Sequence, residues 1–330
     1  DGPIVNAQVT ITDGNGDIVA QIQSDTYANY VAQIPEGAPL PLTVTATGGT
    51  DLVTGMMPDF HMVSVLMDNE ESIANINPFS TLMVETARRM PGGINAENLS
   101  QAKQSVLDTF AFGLDESLVA DPIRTEITDS NVNSIVLASE AFGETIRRAR
   151  DALVLTGSLT NGNSILTALA ADLTDGELDG VGTGADASLT ATVTVASAQV
   201  LLESLGNNLH VNGIPANESM DTAIRSVSPT TTNTTETARI TGQMIDQARR
   251  AVSITEVLAP SISLSVISTA LEAISTDMSS DEINDLFPSD SDAALNTSLL
   301  TATTVSGNQL AEAIELTGSP ESGSDDITPD

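Results

Sequence analysis

The densest group of residues able to do chemistry in this chain is "ADLTDGELDGVGTGAD". It places Asp172, Asp175, Glu177, Asp179 and Asp186 among four glycines. Carboxylates on a backbone that bends freely are what a hard cation such as Ca²⁺ requires, since it collects six to eight oxygens at about 2.3–2.6 Å. The spacing is not that of an EF-hand loop. The same residues also read as a solvated loop that ends a helix on left-handed glycines. A second acidic stretch, "TDGNGD", sets Asp13, Asn15 and Asp17 at alternate positions. Ile18 stands where a calcium loop needs glycine, so a hairpin turn accounts for it better.

Other chemistry is hard to assemble. The two histidines, His61 and His210, are far apart and have no ligands at metal spacing. There is no G-x-S-x-G elbow and no Ser-x-x-Lys, and "GVGTG" lacks the lysine of a phosphate loop. Without cysteine there is no disulfide framework, thiolate site or cysteine nucleophile. Paired carboxylates could serve a hydrolase, but aromatics are only 2% of residues, too few to build a sugar-stacking cleft. No nucleophile or base stands out, and the expectation is a protein that is not an enzyme.

Charge narrows the partners. Asp and Glu number 45 against 11 Lys and Arg, a formal net charge of −34, with Lys103 the single lysine. Such a surface repels nucleic acid and anionic lipid. No run of purely apolar residues reaches the 18 or so of a membrane span. Within this acidity two basic clusters appear, Arg147, Arg148 and Arg150 in "RRAR" and Arg249 and Arg250 in "QARR". They read either as a patch that docks an acidic neighbour or as cations paired with Glu140, Glu144, Asp151, Asp246 and Glu256 at helical spacing.

These groups must be positioned by two kinds of element. From Asp1 to about residue 72 the apolar pattern has period two: "AQVTIT", "IVAQIQS", Tyr27–Ile34, "LPLTVTATG" and "HMVSVLM" read as strands. From residue 73 to 318 the period lengthens. Asn77 caps a helix with Pro78 at its first position and Phe79, Leu82, Met83 and Ala87 on one face. Further helices are expected to end at Gly113, to fill "NSIVLASEAFGETIRRARDALVL" and "GNSILTALAADLTDG", and to cover 193–205, 236–254, 262–274 and 307–316. The fold class expected is therefore α+β multidomain: an N-terminal antiparallel β-sandwich over 1–72, a mainly α-helical domain over 73–318 and an acidic extended tail over 319–330.

The first stretch, "GPIVNAQVTITDGNGDIVAQIQSDTYANYVAQIP", resembles the carboxypeptidase-regulatory-like or CNA-B-like immunoglobulin-type sandwiches. Asn6 and Ala28 stand where that family often has glycine. The resemblance covers about the first fifth of the chain and implies one further strand ahead of "DGPI". The order of a sandwich, "INPFSTL" and then helices is similar to large bacterial surface lipoproteins and adhesin-like proteins. What these resemblances imply is an extracellular or cell-surface protein that assembles with copies of itself by lending strands. The candidate subunit contacts are Ile4, Val5, Arg147, Arg148, Arg150, Arg249, Arg250 and Ile327. The alternative is a monomeric surface lipoprotein module that binds a glycan or protein ligand.

Overall fold

A computed structural model describes residues 1–288 and 291–318. Six strands come first: β1 (Ile4–Val5), β2 (Gln8–Thr12), β3 (Ile18–Gln23), β4 (Leu42–Thr47), β5 (Thr50–Asp51) and β6 (Met62–Leu66). Four of them form one antiparallel sheet in the order β3-β2-β4-β6, while β1 pairs only with β5 in a separate ribbon. Period-two alternation puts Val9, Ile11, Leu42 and Val44 on one buried face, where they make a small core of their own. The "DGNGD" segment is a tight hairpin: Asp13 Oδ1 accepts the N–H groups of Asn15 and Asp17, and Gly16 takes the left-handed φ of +87° that this turn needs.

The Tyr27–Ile34 segment is not a strand of this sheet. The chain turns sharply after β3, where Asp25 Oδ1 accepts from Tyr27 and Asn29 and Ala28 adopts φ +60°. It then runs extended over the buried face of the sheet instead of beside an edge, with Tyr30, Ala32 and Ile34 turned toward the core. Among the described residues no second full sheet covers the first. The sandwich expected from the alternation is thus a single four-stranded sheet with a two-residue ribbon and one unpaired extended segment above it.

The helices follow: α1 (Pro78–Arg89), α2 (Ala96–Phe110), α3 (Val132–Leu155), α4 (Gly162–Asp172) and α5 (Ala187–Leu205). A short ribbon, β7 (His210–Val211) with β8 (Ile214–Pro215), precedes α6 (Asn217–Val227), α7 (Gly242–Leu258), α8 (Ser265–Ala273), α9 (Ser280–Asn284), α10 (Ser291–Ala302) and α11 (Gly307–Thr317). Local sequence sets several of the starts. Asn77 accepts from Ser80 N while the Ser80 hydroxyl accepts from Asn77 N, a reciprocal cap ahead of Pro78. Asn95, Asn161, Asp186 and Thr241 cap α2, α4, α5 and α7 with a side-chain oxygen that accepts from the first turn, without the reciprocal bond.

Four of the six phenylalanines, Phe79, Phe110, Phe112 and Phe142, stack where α1, α2 and α3 meet, with ring centroids 5.5–6.0 Å apart. The α5 helix lies at the centre of the bundle, packed on α3, α7 and α10. By length and mean hydropathy (1.2) it is apolar enough to cross a membrane, which the polar Thr and Ser within it concealed, yet 78% of it is buried inside the protein. Phe60, Met62, Val63 and Val65 belong to the same core as the helices, so β6 joins the sheet to the bundle.

Candidate functional site

The two edges of the four-stranded sheet are treated differently. Asn6 adopts φ +56° and its N–H reaches Ser24 O, while Ser24 N donates to Ala7 O, so a bulge sets the register of β2 against β3. Counting in steps of two from there, Val9–Ile22 and Ile11–Ala20 are the pairs that exchange amides. The amides of β3 at Gln21 and Gln23 therefore point outward, where no strand of the described chain meets them. At the opposite edge, the same alternation turns Val63 outward. There Val63 N donates to Thr81 Oγ1 at 2.8 Å and Val63 O accepts from Ser80 Oγ at 2.8 Å. The first turn of α1 closes β6; among the described residues nothing comparable closes β3.

The open edge also lacks the usual protections. Natural edge strands carry lysine, proline or inward charge that discourages pairing. The β3 sequence "IVAQIQ" has none of these, and Ile18 at its start is 60% exposed. Between Ile18 and Thr50 only Asp25 and Glu36 carry charge, in a chain with 45 carboxylates. The segment over the sheet is open as well: among the described residues the backbone of 30–34 makes no hydrogen bond within the chain. Tyr30 is held by its own hydroxyl, which donates to Ala74 O at 2.5 Å, and Val31 is 87% exposed. Beneath this segment lies a cavity of about 630 Å³ bounded by Val9, Ile11, Val44, Ile34, Val136 and the Ser139 region of α3.

The arginine cluster lies elsewhere and is engaged. Arg147 is only 3% exposed. Its Nε donates to Asp59 at 2.8 Å, and its other nitrogens face Asp1 Oδ1 at 3.2 Å, Glu140 at 3.7 Å and Glu144. Arg148 holds Glu144 and, through both terminal nitrogens, Glu203 at 2.8 Å. Arg150 pairs with Asp59 and Asp151. Burial alone would raise the Asp59 carboxyl, but Arg147 and Arg150 hold it below its ordinary value. Glu140 is fully buried and raised by that burial; among the described residues neither of its carboxylate oxygens has a hydrogen-bond donor, and the Asp1 ammonium lies 3.6 Å away. The cluster fastens Asp59, just ahead of β6, to α3. Arg147 is thus engaged by carboxylates of its own chain.

Arg249 pairs with Asp246 at 3.2 Å and donates to the carbonyls of Leu271 and Ile274 at the end of α8. Arg250, by contrast, makes no ion pair among the described residues, and burial lowers it from its ordinary value while Glu177 raises it. Val5 is buried in the ribbon with β5, and half-buried Ile4 packs against the helical core. Ile327 and the rest of the 319–330 tail lie outside the described residues.

The acidic loop serves its own backbone. Asp172 is buried, and its carboxylate accepts from Asp179 N, Gly180 N and the Thr190 hydroxyl. Burial pushes it up to about 7, against the pull of those donors. Asp175 accepts from Glu177 N, Asp179 from Val181 N, and Asp186 caps α5. The Glu177 side chain is exposed. Among the described residues no three acidic or histidine side chains converge on one point, and the carboxylates of this loop are seen bonding their own backbone.

No family model, curated protein or solved structure matches this chain. Its architecture stands as a mixed α+β fold, strands first and helices after.

Proposed function

We propose that this chain is a non-enzymatic structural protein of the bacterial exterior, a subunit of a surface filament or adhesin-like stalk that assembles through its sheet. The observation that carries the reading is the contrast between the two edges: β6 is closed by Thr81 and Ser80, whereas β3 is open and free of charge. An edge of this kind is a template for another strand. The acidity fits such an assembly. Copies at −34 repel each other until salt shortens the range of the charge to about 10 Å or less, and the uncharged edge is where the repulsion is weakest.

The test is light scattering and negative-stain microscopy of the full chain across a salt series. Particles that grow with protein and salt concentration are the expected result. Separate globular monomers at every salt and protein concentration would sink the reading. A second reading, a monomeric module with a bound ligand, is favoured by the cavity of about 630 Å³ beneath residues 30–34. It gains if the chain stays monomeric.

A further inference from the structure

The N-terminal region carries two unpaired strand backbones, not one. The first is the outer edge of β3, with its outward amides at Gln21 and Gln23. The second is the extended stretch from Tyr30 to Ile34, whose amides have no partner in the described chain. The two lie in different layers, one in the sheet and one over its buried face, and they do not pair with each other. Both span five or six residues, and both are uncharged.

We propose that β3 of one copy pairs along Tyr30–Ile34 of the next, so that the contact is head-to-tail. This rests on the assembly reading above and names its two surfaces. Three observations support it. Tyr30, Ala32 and Ile34 already alternate inward as a strand of a second layer would, so a neighbouring strand finds the pleat formed. The carboxylates nearest in sequence to the two stretches, Asp17, Asp25 and Glu36, lie beyond their ends, so neither strand brings a charge of its own into the contact. A contact between two different surfaces also continues from copy to copy. Pairing of β3 with β3 would stop at a dimer.

The chemistry is backbone hydrogen bonding with aliphatic burial. The outward N–H and C=O groups of Gln21 and Gln23 exchange bonds with those of 30–34. Ile18, exposed in the single chain, is the donor-side residue nearest the start of the contact and loses water there.

The experiment mixes two blocked variants of the full chain. Gln21→Pro removes an outward N–H from β3, a position where an edge strand tolerates proline. Val31→Pro combined with Gln33→Pro stiffens the other surface at two exposed side chains. The expected result is that neither variant alone grows, while an equimolar mixture forms one-to-one dimers and no longer particles. Dimer formation in the mixture also shows that each variant is folded on its intact surface. Gln21→Lys, which keeps the strand, is the second β3 block and should behave as Gln21→Pro does.

Three outcomes overturn the proposal. If the Val31/Gln33 variant alone still dimerises and the Gln21 variants do not, β3 pairs with itself. That result refutes the head-to-tail contact and leaves assembly standing. If all variants grow like the unaltered chain, the contact lies elsewhere. If the unaltered chain is monomeric throughout, the assembly reading fails together with this inference.

Discussion

Arg147→Met keeps the long apolar stem of the side chain but removes the cation that Asp59, Glu140, Glu144 and Asp1 face. Glu144 retains Arg148, and Asp59 retains Arg150. Glu140 loses most, because it is fully buried, no hydrogen bond among the described residues reaches its oxygens, and the Asp1 ammonium at 3.6 Å is the cation left facing it. Breaking a buried pair by removing one partner costs about 3–5 kcal/mol, so a loss in that range is expected near pH 8. The cost should shrink on acidification. Burial already holds Glu140 above its ordinary value, and losing Arg147 raises it further, so the cost of the substitution falls with falling pH by up to ~1.4 kcal/mol per unit for one proton. Urea denaturation at pH 8 and pH 5 measures both quantities. Arg225→Met is the comparison: this arginine is 56% exposed and faces Asp221 at 3.8 Å, and such exposed pairs contribute about 0–1 kcal/mol. A loss for Arg147→Met below about 1 kcal/mol, or one equal at the two pH values, would refute the reasoning.

Asp172→Asn should flatten the dependence of stability on pH. The buried acid is raised from 3.8 to about 7, so the folded chain binds its proton where the unfolded chain has released it. Stability from this group therefore falls as pH rises between about 4 and 7, and the Asn variant should lack that slope; parallel profiles in urea would rule it out. Thr81→Val leaves the outward Val63 N–H buried without an acceptor and should cost roughly 1–3 kcal/mol in the same assay. A loss under roughly half a kcal/mol would mean that α1 does not close that edge energetically.

Much of the fold was legible in the residues, because local signals there agree with tertiary packing. Asn77, Pro78 and the Phe79, Leu82, Met83, Ala87 stripe give α1 both its first residue and its buried face. The alternation in 8–12, 18–23, 42–47 and 62–66 gives all four strands of the main sheet. Two kinds of feature were not legible. Tyr27–Ile34 has the right period for a strand, but period says which side chains face inward and nothing about which backbone lies alongside. The helices α6 and α10 were missed, since Thr, Ser, Asn and Asp in "NESMDTAIRSV" and "SDAALNTSLLTA" weaken propensity and only packing on the bundle holds them. The site residues divide in the same way. Helical spacing brought out the Glu144 partner of Arg147, while Asp59 and Glu203 come from distant segments and could be found only in three dimensions.

Acidic residues and open strands have a common logic in this chain. A net charge of −34 spread over the surface works against contact almost everywhere. The arginines offer little relief at α3, since Arg147, Arg148 and Arg150 are all engaged by carboxylates of the same chain. What remains is a stretch from Ile18 to Thr50 with two charges, holding both unpaired backbones and the exposed Ile18 and Val31. In the assembly we propose, repulsion elsewhere would act as a selector for strand pairing here. Adding charge inside the stretch should therefore matter more than adding it outside. If the assembly reading holds, Gln23→Asp should suppress growth of the particles at moderate salt, whereas Gln104→Asp at an exposed position of α2 should leave it unchanged. Equal suppression by both would mean that total charge, and not its absence from the strands, governs association.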